Sequence, residues 1–344
     1  MKAMQLQALC RLEENREPLR PVNLPRPEPG TGELLLELAA CGVCHTELDE
    51  IEGRTPPPRL PVIPGHQAVG RVVDVGPGAD RSRIGETVGV AWIWSACGHC
   101  PHCLAGNENL CPAFVATGRD ANGGYAEYMC VPQAFAHPIP PLFSAAQAAP
   151  LLCAGAIGYR SLRLSGLADG QALGLTGFGS SAHLVLMMVR HRFPATRVHV
   201  FARSPGEREF ALELGAAWAG DTTDRAPEEL QAVIDTTPAW EPVLEALANL
   251  APGGRLVINA IRKEDADKEE LTRLDYPAHL WMEKEIKSVA NVTRRDVTGF
   301  LQLAAEIPLR PELQTYPLEE ANRALVELKQ RRIRGAKVLV MESP

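Results

Sequence analysis

Apolar and polar positions change rhythm once along this chain, near Ala145. Before it, from Gln5 to Ala91, short apolar segments are broken repeatedly by Pro and Gly, and Leu34–Ala40, Gly65–Val75 and Thr87–Ala91 are predicted as strands. An irregular cysteine-rich loop follows, and Gly124–Val131 resumes strand character. This half is predicted to be β-rich and barrel-like. After it, Ala145–Leu164 is Ala/Leu-rich with helical spacing, and a regular alternation begins. Strands are predicted at Ala172–Thr176, Val198–Phe201, Ala232–Asp235 and Leu256–Ala260, and helices at Ser181–Arg190, Gly206–Leu214 and Trp240–Leu250. Strands alternating with helices of these lengths predict a parallel, doubly wound sheet. The charge-dense Arg262–Arg273 is expected to be a solvated loop or helix, and the chain closes with a predicted helix Leu318–Gln330 and strand Lys337–Met341.

At 344 residues the chain is long enough for two domains. The pattern divides it into a β-rich domain of 1–150 with 288–344 and an alternating α/β domain of 151–287. A net charge of -7 argues against a nucleic-acid partner, which favours a basic face. No apolar run is long enough to span a bilayer, and Met1–Arg20 lacks a secretion pattern, so a cytoplasmic protein without membrane partners is expected.

Nine cysteines change the picture, because four crowd between Cys97 and Cys111. Cys97, Cys100, Cys103 and Cys111 are spaced C-x2-C-x2-C-x7-C, with Gly98, Pro101 and Gly106 allowing tight turns. Four thiolates so placed can close a tetrahedral structural zinc site. Four small buried hydrophobes, or an iron–sulfur cluster, are the alternatives; the short single lobe favours zinc. His99 and His102 are then expected to face solvent, and Cys10, Cys41 and Cys130 to pack.

Downstream of the first strand of the alternating half, Gly177-Phe178-Gly179-Ser180-Ser181-Ala182 opens a helix. This is G-x-G-x-x-A, the dinucleotide fingerprint in which glycines admit a pyrophosphate to a helix N-terminus. The next strand ends in Phe201-Ala202-Arg203-Ser204, without the carboxylate that binds an NAD ribose. Arg203 and Ser204, assisted by Arg208, could hold the 2′-phosphate of NADP; a solvated Arg is the alternative, and NAD stays open. Asp235-Thr236-Thr237 ends a strand at the ligand-binding edge, and Thr236 is expected near the nicotinamide.

Cys41-Gly42-Val43-Cys44-His45-Thr46, Pro64-Gly65-His66, the cysteine lobe and Ala149-Pro150-Leu151-Leu152-Cys153-Ala154-Gly155 resemble the zinc-containing medium-chain alcohol dehydrogenases, in order and over the whole chain. The match is to a bacterial subset with GHQ after the first strands. The resemblance implies a GroES-like catalytic domain, a Rossmann cofactor domain, two zinc ions per subunit and a homodimer or homotetramer. It implies that Cys44, His66 and Cys153 hold a catalytic zinc with one position open. It further implies that Thr46 starts a proton relay, that His45 lies near the cofactor and that Trp92 walls the substrate pocket, with Trp94 a weaker candidate for that wall.

Several positions depart from the family pattern. Glu47 stands where an Asp usually orients the ligand His, Asp49 where a relay His is common, and Gln67 where Glu is frequent. Ile157 replaces a Thr near the nicotinamide, and Ala336 replaces an Arg at the pyrophosphate, with Arg334 a candidate to compensate. The relay is expected through Asp49, or through water and cofactor hydroxyls. The expected activity is reversible hydride transfer between NAD(P) and an alcohol, aldehyde or ketone. Three rivals remain: a zinc-independent enoyl or quinone reductase, a sugar or polyol dehydrogenase, and a non-catalytic regulator that keeps the fold.

Overall fold

The computed structural model describes residues 1–307, 309, 311–330 and 335–341; Arg334 lies outside them. The chain forms two compact units, Met1–Cys153 with Val292–Pro344, and Ala154–Asn291.

In the first unit the eleven-residue strand Glu33–Val43 organises a seven-stranded sheet. One edge pairs antiparallel with Ala68–Val75, which carries on to Thr87–Val90 and Ala136–Pro138. The other edge is shared: Glu33–Glu37 pairs with Tyr128–Pro132, and Ala40–Val43 with Ala336–Val340. Leu34, Leu36, Ala40 and Cys41 are buried along this strand, so its apolar run reads as the centre of a core. The strand predicted from Gly65 starts only at Ala68, which leaves Gly65, His66 and Gln67 outside the ladder. The pattern does not predict the hairpin Lys2–Leu6 with Leu19–Asn23 or the helix Arg294–Glu306. That helix is capped by Thr293 and Asp296, which bond reciprocally to each other's backbone N–H.

The second unit is the predicted doubly wound sheet. Its six strands run in the order Trp218–Gly220, Arg197–Phe201, Ala172–Thr176, Leu230–Asp235, Leu250–Ile258 and Glu285–Ser288. All five neighbouring pairs are parallel. Ala172–Thr176 is buried at every position, as a strand covered on both faces must be. Glu285–Ser288 is an exposed edge with no hydrophobic alternation, which is why the sequence pattern does not show it.

Two predicted segments differ in form. Ala145–Leu164 is not one helix: Ala145–Ala148 passes into a 3-10 turn, Ala149–Leu152, and a new helix runs Ala154–Ser165. Pro150 has no N–H for a continuous helix, and Cys153, with φ -121° and ψ -79°, breaks it. Leu318–Gln330 likewise begins as a 3-10 turn before the helix Ala321–Lys329.

His137 shows how tightly the Arg294–Glu306 helix is tied to the sheet of its own unit. Its Nδ1 lies 3.1 Å from Thr298 Oγ1, and its Nε2 is buried without a partner. Burial, with Arg294 and Arg83 against a smaller opposing effect of Glu108, pushes the imidazole down to about 4. The unfolded chain, titrating near 6.5, therefore takes up a proton between those values that the folded chain refuses. Stability from this group is present above about pH 6.5 and falls by roughly 2–3 kcal/mol as pH approaches 4. Denaturant unfolding of wild type and His137→Leu at pH 7.5 and 4.5 should show the variant losing less stability; equal losses would rule this account out.

Candidate active site and metal centres

Three residues that together span 109 positions of the chain meet at one point of the first unit. Cys44 Sγ, His66 and Cys153 Sγ present ligand atoms that all lie within 4.8 Å of one another. Cys44 is the N-cap of the helix His45–Ile51 at the end of the long central strand. His66 sits in the short stretch before Ala68–Val75, where Gly65 adopts φ +101° with Tyr125 packed against it. Cys153 stands at the helix break just described, so the break itself supplies the ligand.

Glu47 joins two of these residues. It occupies the third position of the Cys44 helix and reaches back, its Oε2 accepting from the Cys44 backbone N–H at 2.8 Å. Its other oxygen, Oε1, lies 2.5 Å from His66 Nδ1. The carboxylate is 0% exposed. Such a contact selects the imidazole tautomer with Nδ1 protonated and leaves Nε2 free to coordinate. One side chain thus caps the helix and orients the histidine.

The residues fit a zinc ion. Two sulfurs each about 2.3 Å from a tetrahedral zinc stand about 3.8 Å apart, and Cys44 Sγ and Cys153 Sγ are 3.9 Å apart. Without a cation the pair must share a proton. The Cys153 contact, aided by His66, takes Cys44 well below an ordinary thiol despite burial, and the Cys44 contact drives Cys153 well above it. Burial opposes a charged His66, but Glu47 and Cys44 outweigh it and raise that group.

The cysteine lobe passes the same test. Cys97, Cys100, Cys103 and Cys111 gather their sulfurs within 4.8 Å, with Cys97 Sγ and Cys103 Sγ 3.9 Å apart. Backbone N–H groups of Cys97, Cys100, Cys103 and Ala113 donate to these sulfurs at 3.3–3.5 Å. Backbone donors hold Cys97 down to about 6, whereas burial and the neighbouring thiols push Cys103 up to about 12. Sulfurs so divided need a shared cation to be thiolates together. His99 and His102 are exposed, His99 bonding the Cys97 carbonyl.

Around the three-ligand cluster, Thr46 is buried with Oγ1 3.7 Å from Cys44 Sγ, and His45 is exposed. Asp49, where a proton relay is expected, is buried and pairs with Arg54 Nε at 2.5 Å. Trp92 is half-buried; its ring faces Phe114, and its Nε1 donates to Glu50 Oε1 at 3.4 Å. Trp94 donates to the Cys130 carbonyl and packs. Glu50 is a feature the sequence does not announce. It is buried, its Oε2 has no hydrogen-bond partner, and burial together with Glu47 pushes its carboxyl well up.

The second unit builds the nucleotide edge. Gly177 follows the central strand at φ +72°, and a side chain there would strike Thr236 and Thr237. The helix Ser180–Arg192 begins after Gly179 with no side chain capping its first N–H groups, which leaves Ser180 and Ser181 at an open anion-binding terminus. Thr236 Oγ1 donates to the Thr176 carbonyl, beside Gly177. Arg203 and Ser204 are exposed after Phe201. Arg208 instead turns inward to the carbonyls of Ala202 and Arg203 and to Asp221 at 3.4 Å. Asp221 is a carboxylate near this strand end that only the folded sheet reveals, because it follows a different strand.

The charge-dense Arg262–Arg273 is not wholly solvated. Lys263 is buried against Asp235 and donates to the carbonyls of Thr237 and Ala239. Asp235 also accepts from Thr176 Oγ1 and Thr237 Oγ1, so one lysine braces the strand ends that carry Thr236.

Residues 30–141 match the family model of the alcohol dehydrogenase GroES-like domain. A Mycobacterium tuberculosis protein named "Probable alcohol dehydrogenase AdhA" is 44% identical over 94% of this chain and 93% of its own. An alcohol dehydrogenase of Geobacillus stearothermophilus is 30% identical over 96% of this chain and 98% of its own. The chain belongs to the zinc-containing medium-chain alcohol dehydrogenase family. Among solved structures, a cinnamyl alcohol dehydrogenase of Sorghum bicolor superposes with a TM-score of 0.83 at 27% identity, covering 100% of both chains. This alcohol dehydrogenase has the expected pairing of a GroES-like catalytic fold with a parallel-sheet cofactor fold, and the family uses zinc and a nicotinamide cofactor.

If Glu47 orients His66, then Glu47→Gln should weaken metal binding at the three-ligand site about 10- to 100-fold. Chelator competition on the metal-loaded protein reads this directly; an unchanged affinity would remove Glu47 from that role.

Proposed function

We propose that this alcohol dehydrogenase carries out hydride transfer on a zinc held by Cys44, His66 and Cys153, with a second, structural zinc in the Cys97–Cys111 lobe. The observation that carries the reading is the meeting of two sulfurs and one oriented imidazole, with Glu47 behind the histidine. Cys44, His66 and Cys153 would hold the ion, which when bound would supply Lewis-acid polarisation of an alcohol or carbonyl oxygen. Thr46 is the hydroxyl placed to exchange a proton with that oxygen. Asp49 is committed to Arg54, so we route the proton from Thr46 through water or cofactor hydroxyls. Trp92 walls the substrate side.

The second unit holds the cofactor pyrophosphate at Gly177, Gly179, Ser180 and Ser181, with Thr236 toward the nicotinamide. NADP(H) is the favoured form. The Arg203 side chain is exposed with no partner among the described residues, and Ser204 does not cap its helix with its hydroxyl, which suits a 2′-phosphate. The working unit is a homodimer or a tetramer built from dimers. Its support is the strand Glu285–Ser288 at the end of the six-stranded sheet, where Ile286 is 48% exposed and Tyr276 and Trp281, also exposed, stand in the segment before it. No helix of the described residues is long and apolar enough to cross a membrane. The nine free cysteines suit a reducing compartment, and we place the protein in the cytoplasm. The complete ligand set argues against a zinc-independent reductase, and the family match against a non-catalytic regulator.

Purified protein with zinc should oxidise NADPH in the presence of simple aldehydes or ketones, and a chelator should stop it. Cys153→Ala, folded by circular dichroism, should lose at least 1000-fold in kcat/KM, a barrier change of about 4 kcal/mol; retained turnover would sink the zinc reading. Arg203→Ala should raise KM for NADPH about 10-fold while leaving KM for NADH within a factor of two. A parallel rise for both cofactors would assign Arg203 elsewhere.

A further inference from the structure

A second feature of the first unit lies beside the strand that delivers His66. Residues 59–62 and 119–122 enclose a hollow of about 310 Å³. Its two walls are locked to the ligand segment. Gly123 N donates to the Ile63 carbonyl at 2.7 Å, Gly124 N to Gly65 at 2.8 Å and Tyr125 N to Pro64 at 2.9 Å. Asn122 Oδ1 accepts from Ile63 N at 3.0 Å. The hollow is thus built on the residues immediately preceding His66.

Its chemistry is cationic. Arg59 is exposed and has no hydrogen-bond or ion-pair partner among the described residues. Arg119 binds Asp120 through Nε at 2.9 Å and through its second terminal nitrogen at 2.8 Å, which leaves the remaining terminal nitrogen uncommitted. Asp120 is saturated from within, since the Ala116 N–H also donates to it at 2.7 Å. Two guanidinium groups therefore face one carboxylate that is already satisfied, and the hollow keeps a single net positive charge. Asn122 adds amide N–H donors, because only its oxygen is engaged.

The hollow also touches the substrate wall. The Arg119 guanidinium lies 5.5 Å from the centre of the Trp92 ring. Thr117, two residues before Arg119, donates its backbone N–H to the Trp92 carbonyl at 2.7 Å and its hydroxyl to Ala91. Arg119 thus lines the hollow with Arg59 and also lies over the Trp92 ring.

We propose that Arg59, Arg119 and Asn122 form a subsite for a carboxylate at the far end of the substrate, so that this enzyme prefers alcohols and aldehydes bearing a terminal acid group. This rests on the catalytic reading of Cys44, His66 and Cys153. A monoanion matches the single net charge, and guanidinium groups favour the planar, bidentate geometry of a carboxylate. A hollow of this size suits a short chain ending in that group.

The test compares an aldehyde carrying a terminal carboxylate with its methyl ester, in wild type, Arg59→Gln and Arg119→Gln. The wild type should favour the acid about 10- to 100-fold in kcat/KM, chiefly through KM, and each variant should bring the ratio toward unity. Calorimetric titration with glutarate, in the absence of any aldehyde, should show saturable binding that Arg59→Gln weakens by a similar factor. Arg59 is exposed, so that variant keeps the proposal testable if Arg119→Gln fails to fold. Equal turnover of acid and ester by the wild type would overturn the subsite and leave the catalytic reading standing. A preference that survives both substitutions would also overturn it. Glutarate binding sensitive to Arg59→Gln in a protein that reduces neither aldehyde would support the subsite and defeat the catalytic reading.

Discussion

The first unit is organised around a buried carboxylate with two tasks. Glu47 accepts the Cys44 backbone N–H with one oxygen and meets His66 Nδ1 with the other. A helix start, a strand approach and a metal ligand are thereby held in one geometry. A buried charge of this kind is tolerated only where its oxygens are satisfied. Its surroundings make the demand sharper: the Cys44 contact and burial raise the Cys153 thiol, and burial with Glu47 raises the Glu50 carboxyl. A divalent cation at the ligand cluster resolves the conflict, which is why the site's electrostatics and its chemistry are the same problem.

The cofactor unit uses a comparable device. Asp235 lies at the end of a buried strand, and Lys263 returns from a polar segment to neutralise it while bonding two carbonyls. The loop that follows Gly177 is thus set against a fixed edge, and Thr236 is held by the Thr176 carbonyl. The nucleotide turn itself needs little else: a positive φ at Gly177 and an uncapped helix start create the anion site from backbone alone.

Departures from the family pattern take on meaning in this setting. Glu for Asp at position 47 lengthens the side chain by one methylene, and the Glu carboxylate serves both the helix cap and His66. Asp49 is taken up by Arg54, five residues on in the same segment, so the usual relay position has become part of an ion pair. Trp92, in turn, is held by contacts with Phe114, Arg119 and Glu50, which set charged groups beside its ring.

The amino-acid sequence by itself determined the alternating sheet, the fingerprint turn and the residues of both cysteine-containing clusters that the fold gathers. Those signals are local: strand Ala172–Thr176 is an unbroken apolar run, the lobe cysteines lie within one loop, and the ligand motifs carry their own spacing. Other elements depended on distant partners. The strand Glu285–Ser288 has no alternation of its own and exists because Leu250–Ile258 offers it a ladder. The break at Cys153 turns a predicted helix into a ligand position. Lys263, Asp221, Glu50 and Arg119 are ordinary charged residues in the sequence. They acquire roles only where folding removes water from around them or brings a counter-charge within reach, because the energy of a charge depends on its surroundings more than on its neighbours in the chain.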